Sequence, residues 1–212
     1  MKFVISISLT TLFALTLCIN PQTGYISESY GQAFCALRQP HRAQQVLFPT
    51  ATSQKAFPTQ ITQRHRHEVL DELKFSIHQN ELGLHTLYAV FRGSGSTAQH
   101  LGFIHVRSEK GEWGLIEIAW GLYPDLSIKN FFFQRCREFA REELESPIFQ
   151  SFIHRKKMTD ILKYINEQGQ LKKPLPHLSI EAQGLGLRII KSALKTIAVT
   201  KVAWGHILGS GN

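Results

Sequence analysis

Two apolar segments, Leu101 to Val106 and Leu115 to Trp120, stand on either side of the short turn sequence Ser108-Glu109-Lys110-Gly111. A connection this short holds no crossover element, so the two segments must pair as antiparallel neighbours. The same logic extends in both directions. Thr86 to Phe91 precedes the pair across the flexible loop Arg92-Gly93-Ser94-Gly95-Ser96-Thr97, and Tyr123-Pro124-Asp125-Leu126 turns the chain into Ser127 to Phe133. The spacing predicts four strands in an antiparallel meander.

Helical patterns flank the sheet. A short helix or turn is expected near Gln44 to Phe48, and a longer one over Gln63 to Gln79, where Leu73 and Ile77 space an apolar face. Ser146-Pro147 opens a turn through Phe152, and Thr159 is placed to cap a helix over Asp160 to Gln168 before Gly169. The expected class is α+β, an antiparallel sheet covered by helices, closing on a C-terminal helix that follows a glycine-containing ligand loop.

That closing stretch runs from Leu178 to Val199. Leu187, Ile190, Leu194 and Ile197 repeat at helical spacing, with Arg188, Lys191 and Lys195 on what the pattern makes a wet face. The turn before it holds Gly184 and Gly186. A helix start offers unpaired N–H groups and the positive end of the macrodipole, and glycines admit close approach, which together suit a phosphate. The plainer alternative is a helix packed on the sheet with glycines serving only the turn.

At 212 residues, 43% of them hydrophobic and 14 of them Phe, the chain has the makings of a globular core without staples. A net charge of +8 favours anionic partners. Basic residues are scattered apart from His154-Arg155-Lys156-Lys157, with no aromatic-interleaved stripe, so nucleic-acid binding is not expected. Lys2 followed by the uncharged run Phe3 to Leu17 reads as a secretory signal or an N-terminal anchor, short of the roughly 20 apolar residues of a full span. The expected organisation is a signal or anchor over 1–33, an extended lead-in over 34–63 rich in Pro and polar residues, and the domain proper over 64–212. The body is placed outside the cytoplasm, in the periplasm or on the outer face of the inner membrane, with membrane association through the N-terminus. Cys35 and Cys136 would remain after loss of Cys18, either bridged or as separate thiols. His65, His67 and His78 lack zinc spacing and read as solvated or packing side chains.

The order of these pieces resembles the bacterial FMN-binding domain, a family that includes one of the subunits of the sodium-pumping NADH:quinone reductase. The residues that carry the likeness are Leu47-Phe48-Pro49, Leu101-Gly102-Phe103, Leu122 through Ile128, Arg137-Glu138, Ser146-Pro147-Ile148-Phe149-Gln150-Ser151-Phe152 and the loop before the last helix. The resemblance covers about Leu47 to Val199.

It implies FMN with its phosphate at the helix start, bound through Glu181, Ala182, Gln183, Gly184, Leu185 and Gly186, with Phe149 and Phe152 against the flavin and Glu138 beside the site. In many members a threonine of that loop is esterified to the phosphate. Gln183 stands in its place and has no hydroxyl, so any FMN is held noncovalently. Two readings stay open: electron transfer through noncovalent FMN, with an envelope redox protein or a membrane electron-transport complex as partner, or a flavin-free scaffold that keeps the fold. The rival from another class is a GNAT-like acetyltransferase, because Gln183-Gly184-Leu185-Gly186 also resembles the pyrophosphate loop that cradles acetyl-CoA. In that reading Lys201 to Ile207 forms one further strand. No nucleophile and base pair, metal cluster or paired carboxylate argues for hydrolysis.

Overall fold

In a computed structural model that describes residues 39–208, five strands lie in the order β1-β2-β3-β4-β5, each antiparallel to the next. They are β1 (Ser53–Ile61), β2 (Gly83–Arg92), β3 (Gln99–Lys110), β4 (Leu115–Leu122) and β5 (Ile128–Arg135). The meander expected from the short turns is present, and the α+β class with it. Its extra strand, β1, comes from within the segment that reads as lead-in. Pro58 sits in β1 opposite Thr86. Because β1 is an edge strand, one side of its backbone is unpaired, and a residue without an N–H is tolerated there.

The helices are α1 (His41–Leu47), α2 (Gln63–Leu73), α3 (Arg141–Glu145), α4 (Pro147–Ile153), α5 (Met158–Ile161) and α6 (Gln183–Leu208). Ser146 caps α4 as its sequence foretold, its hydroxyl accepting from the Phe149 N–H at 3.3 Å. The helix expected to reach Gln79 stops at Leu73, where Lys74 turns left-handed at φ 64°. Thr159 caps nothing. The helix there starts at Met158 and tightens into a 3-10 turn after one turn of α-helix.

Two corrections concern α6. It continues to Leu208, with its dihedrals broken only at Trp204, so residues 201–207 are helical where a strand was expected. Its expected wet face is wet only in part: Arg188 and Lys191 are half-buried, while Lys195 is buried, as are Ser192, Thr196 and Thr200. The helix packs against β3 and β1 and also against α2 and α5. A helix apolar nearly all round belongs inside a protein, and the lysines at helical spacing disguised that pattern. None of the described helices is long and apolar enough to cross a membrane.

Side-chain alternation splits the sheet into two faces. Phe103, Ile118, Trp120, Phe131 and Phe133 meet α6 in the main core, while Val90, Ile104, Val106 and Ala119 are covered by Ala43, Leu47 and Phe48 of the α1 segment. Gly102 is obligatory between the layers. At φ +146° a Cβ there would fall 2.1 Å from the Leu122 carbonyl oxygen.

Candidate functional site

The start of α6 meets the β3–β4 hairpin and the loop after β5. Glu112, Trp113, Glu138, Phe139, Ala140, Glu181, Leu185 and Arg188 line one hollow of about 50 Å³. Gly111 makes the junction: a Cβ there would collide with Glu138 Oε1 at 2.1 Å. Its absence lets that carboxylate press against the hairpin and accept the Trp113 N–H at 3.0 Å. Arg188 reaches in from α6, 3.1 Å from Glu112 and 3.9 Å from Glu138.

Of the nine residues expected at the site, Glu138, Glu181 and Leu185 come together here. The others have separate roles. Phe149 is fully buried in the core. Phe152 lines a second, open groove of about 510 Å³ with Pro147, Ile148, Ser151 and His177. Ala182 is buried and its N–H donates to the Ser179 carbonyl at 3.2 Å. Gln183 clasps the preceding loop: its amide accepts from Leu175 N at 2.7 Å and donates to the Leu175 and Leu178 carbonyls at 3.1 Å each. Gly184 has open space where a Cβ would be, so nothing presses on it. A Cβ on Gly186 would meet Leu178 at 2.6 Å and Leu175 at 2.8 Å, so this glycine serves the packing of the chain's own loop.

These residues do not fit FMN at the start of α6. A cofactor pocket runs to roughly 300–1,000 Å³, against about 50 Å³ for this hollow. Glu112, Glu138 and Glu181 face a single Arg188, so negative charge already occupies the place where a phosphate dianion, or the pyrophosphate of acetyl-CoA, would sit. The larger groove runs along α4 and takes none of its lining from the start of α6. Lys156 Nζ lies 5.0 Å over the ring of Phe152. Phe152 also packs against Phe149 and Tyr164.

The clasp makes a prediction. Gln183→Ala removes three buried or half-buried hydrogen bonds and is expected to lower stability by about 1–3 kcal/mol, with faster proteolytic nicking between Lys172 and Leu178. Urea melts and a timed digest check it, and an unchanged melt would show the clasp to be incidental.

The surface around the hollow is apolar. Trp113, Phe139, Ile148 and Ile180 are among the most exposed large apolar side chains, Phe139 at 91% and Ile180 at 89%. Glu143 of α3 ties down the loop before α6 by accepting both the N–H and the hydroxyl of Ser179 at 2.8 Å. In a chain with net charge +8, this face is both apolar and locally acidic.

A second cluster escaped sequence reasoning altogether. Between the sheet and α6, Lys195 Nζ lies 3.0 and 3.1 Å from the two oxygens of Glu81 and 2.5 Å from Glu109. Arg107 pairs with Glu81 from the other side. His85 Nδ1 stands 3.4 Å from His105 Nε2, and His105 Nδ1 2.9 Å from the Thr200 hydroxyl. Burial alone would raise the Glu81 carboxyl, but the Arg107 and Lys195 charges outweigh it and hold it well below the ordinary carboxylate range. Burial, then Arg107, pushes His85 down to about 4, and the same causes press His105 well below its usual value. A signal did exist. His105, Arg107 and Glu109 alternate with Phe103 on one face of β3, which makes them inward-facing. The strand as read from sequence stopped at Val106.

The fold and its surfaces define an α+β domain on an antiparallel meander, with an apolar, acidic face at the start of its last helix. Compared with known proteins, the chain matches no family model, no curated protein and no solved structure. The resemblance to FMN-binding domains is therefore one of the order and spacing of sequence motifs alone.

Proposed function

We propose that this chain is a flavin-free interaction domain of the cell envelope, which docks a partner protein through the face formed by Trp113, Phe139, Ile180 and Ile148. The observation that carries the reading is the closure of the α6 start by the chain itself, together with the apolar, carboxylate-rimmed surface that this closure presents. Exposed apolar patches rimmed by charge mark protein contacts. The rim of Glu112, Glu138 and Glu181 selects a partner segment whose apolar side chains flank a lysine or arginine. Export and membrane attachment belong to the same proposal and rest on the Phe3 to Leu17 run.

Tryptophan fluorescence gives a direct test. Of the three tryptophans, Trp113 is 67% exposed while Trp120 and Trp204 are fully buried. A short alternating leucine and lysine peptide is expected to shift Trp113 emission to the blue, less so at high salt, while a leucine and glutamate peptide leaves it unchanged. Phe139→Ala is expected to weaken the shift about tenfold, the effect of losing one interface anchor. The same protein incubated with excess FMN and acid-precipitated should carry no flavin bands in pellet or supernatant. Stoichiometric flavin, or equal response to both peptides, would overturn the proposal.

A further inference from the structure

At the opposite end of the sheet the charge reverses. The β4–β5 turn carries Tyr123, and Arg155 lies 3.7 Å over its ring, with Lys129 Nζ at 5.1 Å and the His154 ring edge-on at 5.8 Å. Lys129 also sits 5.3 Å over Phe48, just after α1, and Arg42 of α1 lies 5.8 Å over Phe132 of β5. The 154–157 segment is tied to β5 through Arg155 N to Ile128 O at 2.7 Å and Ile128 N to Lys156 O at 2.9 Å. Arg155 holds a left-handed backbone, φ 61°, in that segment. Lys129 and Arg155 thus meet at Tyr123 with Arg42 packed on the same strand, β5, and Lys156 and Lys157 continue the Arg155 segment, Lys157 beside Asp125 of the turn and Lys156 over Phe152 and Tyr164. The carboxylates near them are Asp125, 3.5 Å from Lys157, and Asp160, which Lys163 holds at 3.0 Å.

We infer that this basic end is a docking surface for a bilayer rich in anionic headgroups. Three observations favour a membrane over other polyanions. First, the patch includes α1, the described helix nearest in sequence to the apolar run Phe3 to Leu17, so the chain leads from the patch toward the segment with affinity for hydrocarbon. One apolar segment plus a polybasic surface is the two-part arrangement that stable membrane attachment requires. Second, Tyr123 supplies an amphipathic ring at headgroup level among the cations. Third, Arg155 packs 3.7 Å over that ring, and among the described residues of the patch no further aromatic is interleaved with the cations on an open face as a base-stacking surface requires. The surface also orients the molecule. β4 runs from the Trp113 hairpin to the Tyr123 turn, eight residues or about 27 Å at ~3.4 Å per residue, so a bilayer at the Tyr123 turn leaves the Trp113 hairpin pointing away from it. These cations act independently of the peptide-docking face.

The test partitions the full chain between buffer and vesicles of phosphatidylcholine alone or phosphatidylcholine with 30% phosphatidylglycerol. The apolar run contributes to both, so the readout is the ratio between them. We expect the anionic vesicles to bind more strongly, with the ratio falling as salt rises. The triple variant Arg155→Gln, Lys156→Gln, Lys157→Gln should lower the ratio about tenfold or more, since each cation near an anionic surface contributes about fivefold. Lys110→Gln, Lys172→Gln, Lys173→Gln removes the same charge elsewhere and should leave the ratio in place. Inorganic phosphate at constant ionic strength should not compete. Equal loss in both triple variants would reduce the effect to net charge, competition by phosphate would make the ligand a small anion, and loss of duplex oligonucleotide binding without loss of vesicle binding would make it nucleic acid. Each of these results overturns the inference.

Discussion

Glu81→Gln is expected to destabilise the domain by about 3–5 kcal/mol, among the largest single-site effects open to it. The carboxylate is the centre of the buried cluster, with Arg107 on one side and Lys195 on the other. Glutamine keeps the shape but removes the charge, leaving a guanidinium and an ammonium under α6 with only Glu109 between them. Arg107 is 1% exposed and its Nε and Nη1 already lack a partner among the described side chains, so Glu109 is left as the one carboxylate for two buried cations. The measurement is a urea melt, where the midpoint should drop by about 1–2 M for an m value of roughly 2–3 kcal/mol/M. A companion variant decides the cause. Glu81→Met, Arg107→Met, Glu109→Leu and Lys195→Met together replace the whole cluster with apolar side chains, and should recover most of the loss because no charge is left unpaired. A Glu81→Gln protein within about 0.5 kcal/mol of the parent would mean that water reaches the cluster.

What the sequence displayed and what it hid follow from the range of the interactions involved. The meander was legible because hairpin turns are local: Lys110-Gly111 and Tyr123-Pro124-Asp125 leave the chain no room to do anything but reverse. β1 was hidden by Pro49 and Pro58, which read as lead-in until an edge position makes Pro58 acceptable. The burial of α6 was hidden because amphipathicity is a statement about one helix. Lys195 reads as wet until Glu81 and Glu109, more than 80 residues away in sequence, are seen to receive it. The candidate site shows the same division. Glu138 was set apart from its charged neighbours by the family resemblance and by no local pattern, and it is buried at 8% exposure against the hairpin. Gln183 was visible as a departure from a phosphate loop, but its engagement with Leu175 and Leu178 depends on how the intervening loop folds back. Side chains whose partners lie across the fold carry no local pattern that separates a ligand contact from a structural clasp.

Acidification should weaken the domain between about pH 6.5 and pH 4, and the two buried histidines set that window. His85 is neutral in the folded state down to about 4, because burial and then the Arg107 charge oppose its protonation. In the unfolded chain it takes a proton near 6.5. Between those values the unfolded state binds more protons than the folded one, so stability falls as pH falls, by about 3 kcal/mol for a shift of this size once pH 4 is passed. His105 acts in the same direction. Glu109 acts against them: burial raises its carboxyl, so protonation on acidification is easier folded than unfolded and offsets part of the loss. Glu81 extends the decline below its unfolded value, since its depressed carboxyl resists the proton that the unfolded chain accepts. Urea melts from pH 7.5 to 4 should therefore show a falling midpoint with near-constant m. His85→Gln, which keeps a side chain able to hydrogen-bond the Glu81 carbonyl now 2.9 Å from His85 Nε2, should flatten the slope between pH 6 and 4.5 even if it lowers stability at neutral pH. A parent protein equally stable at pH 7 and 4.5, or a His85→Gln slope as steep as the parent's, would show that these imidazoles are protonated inside the fold.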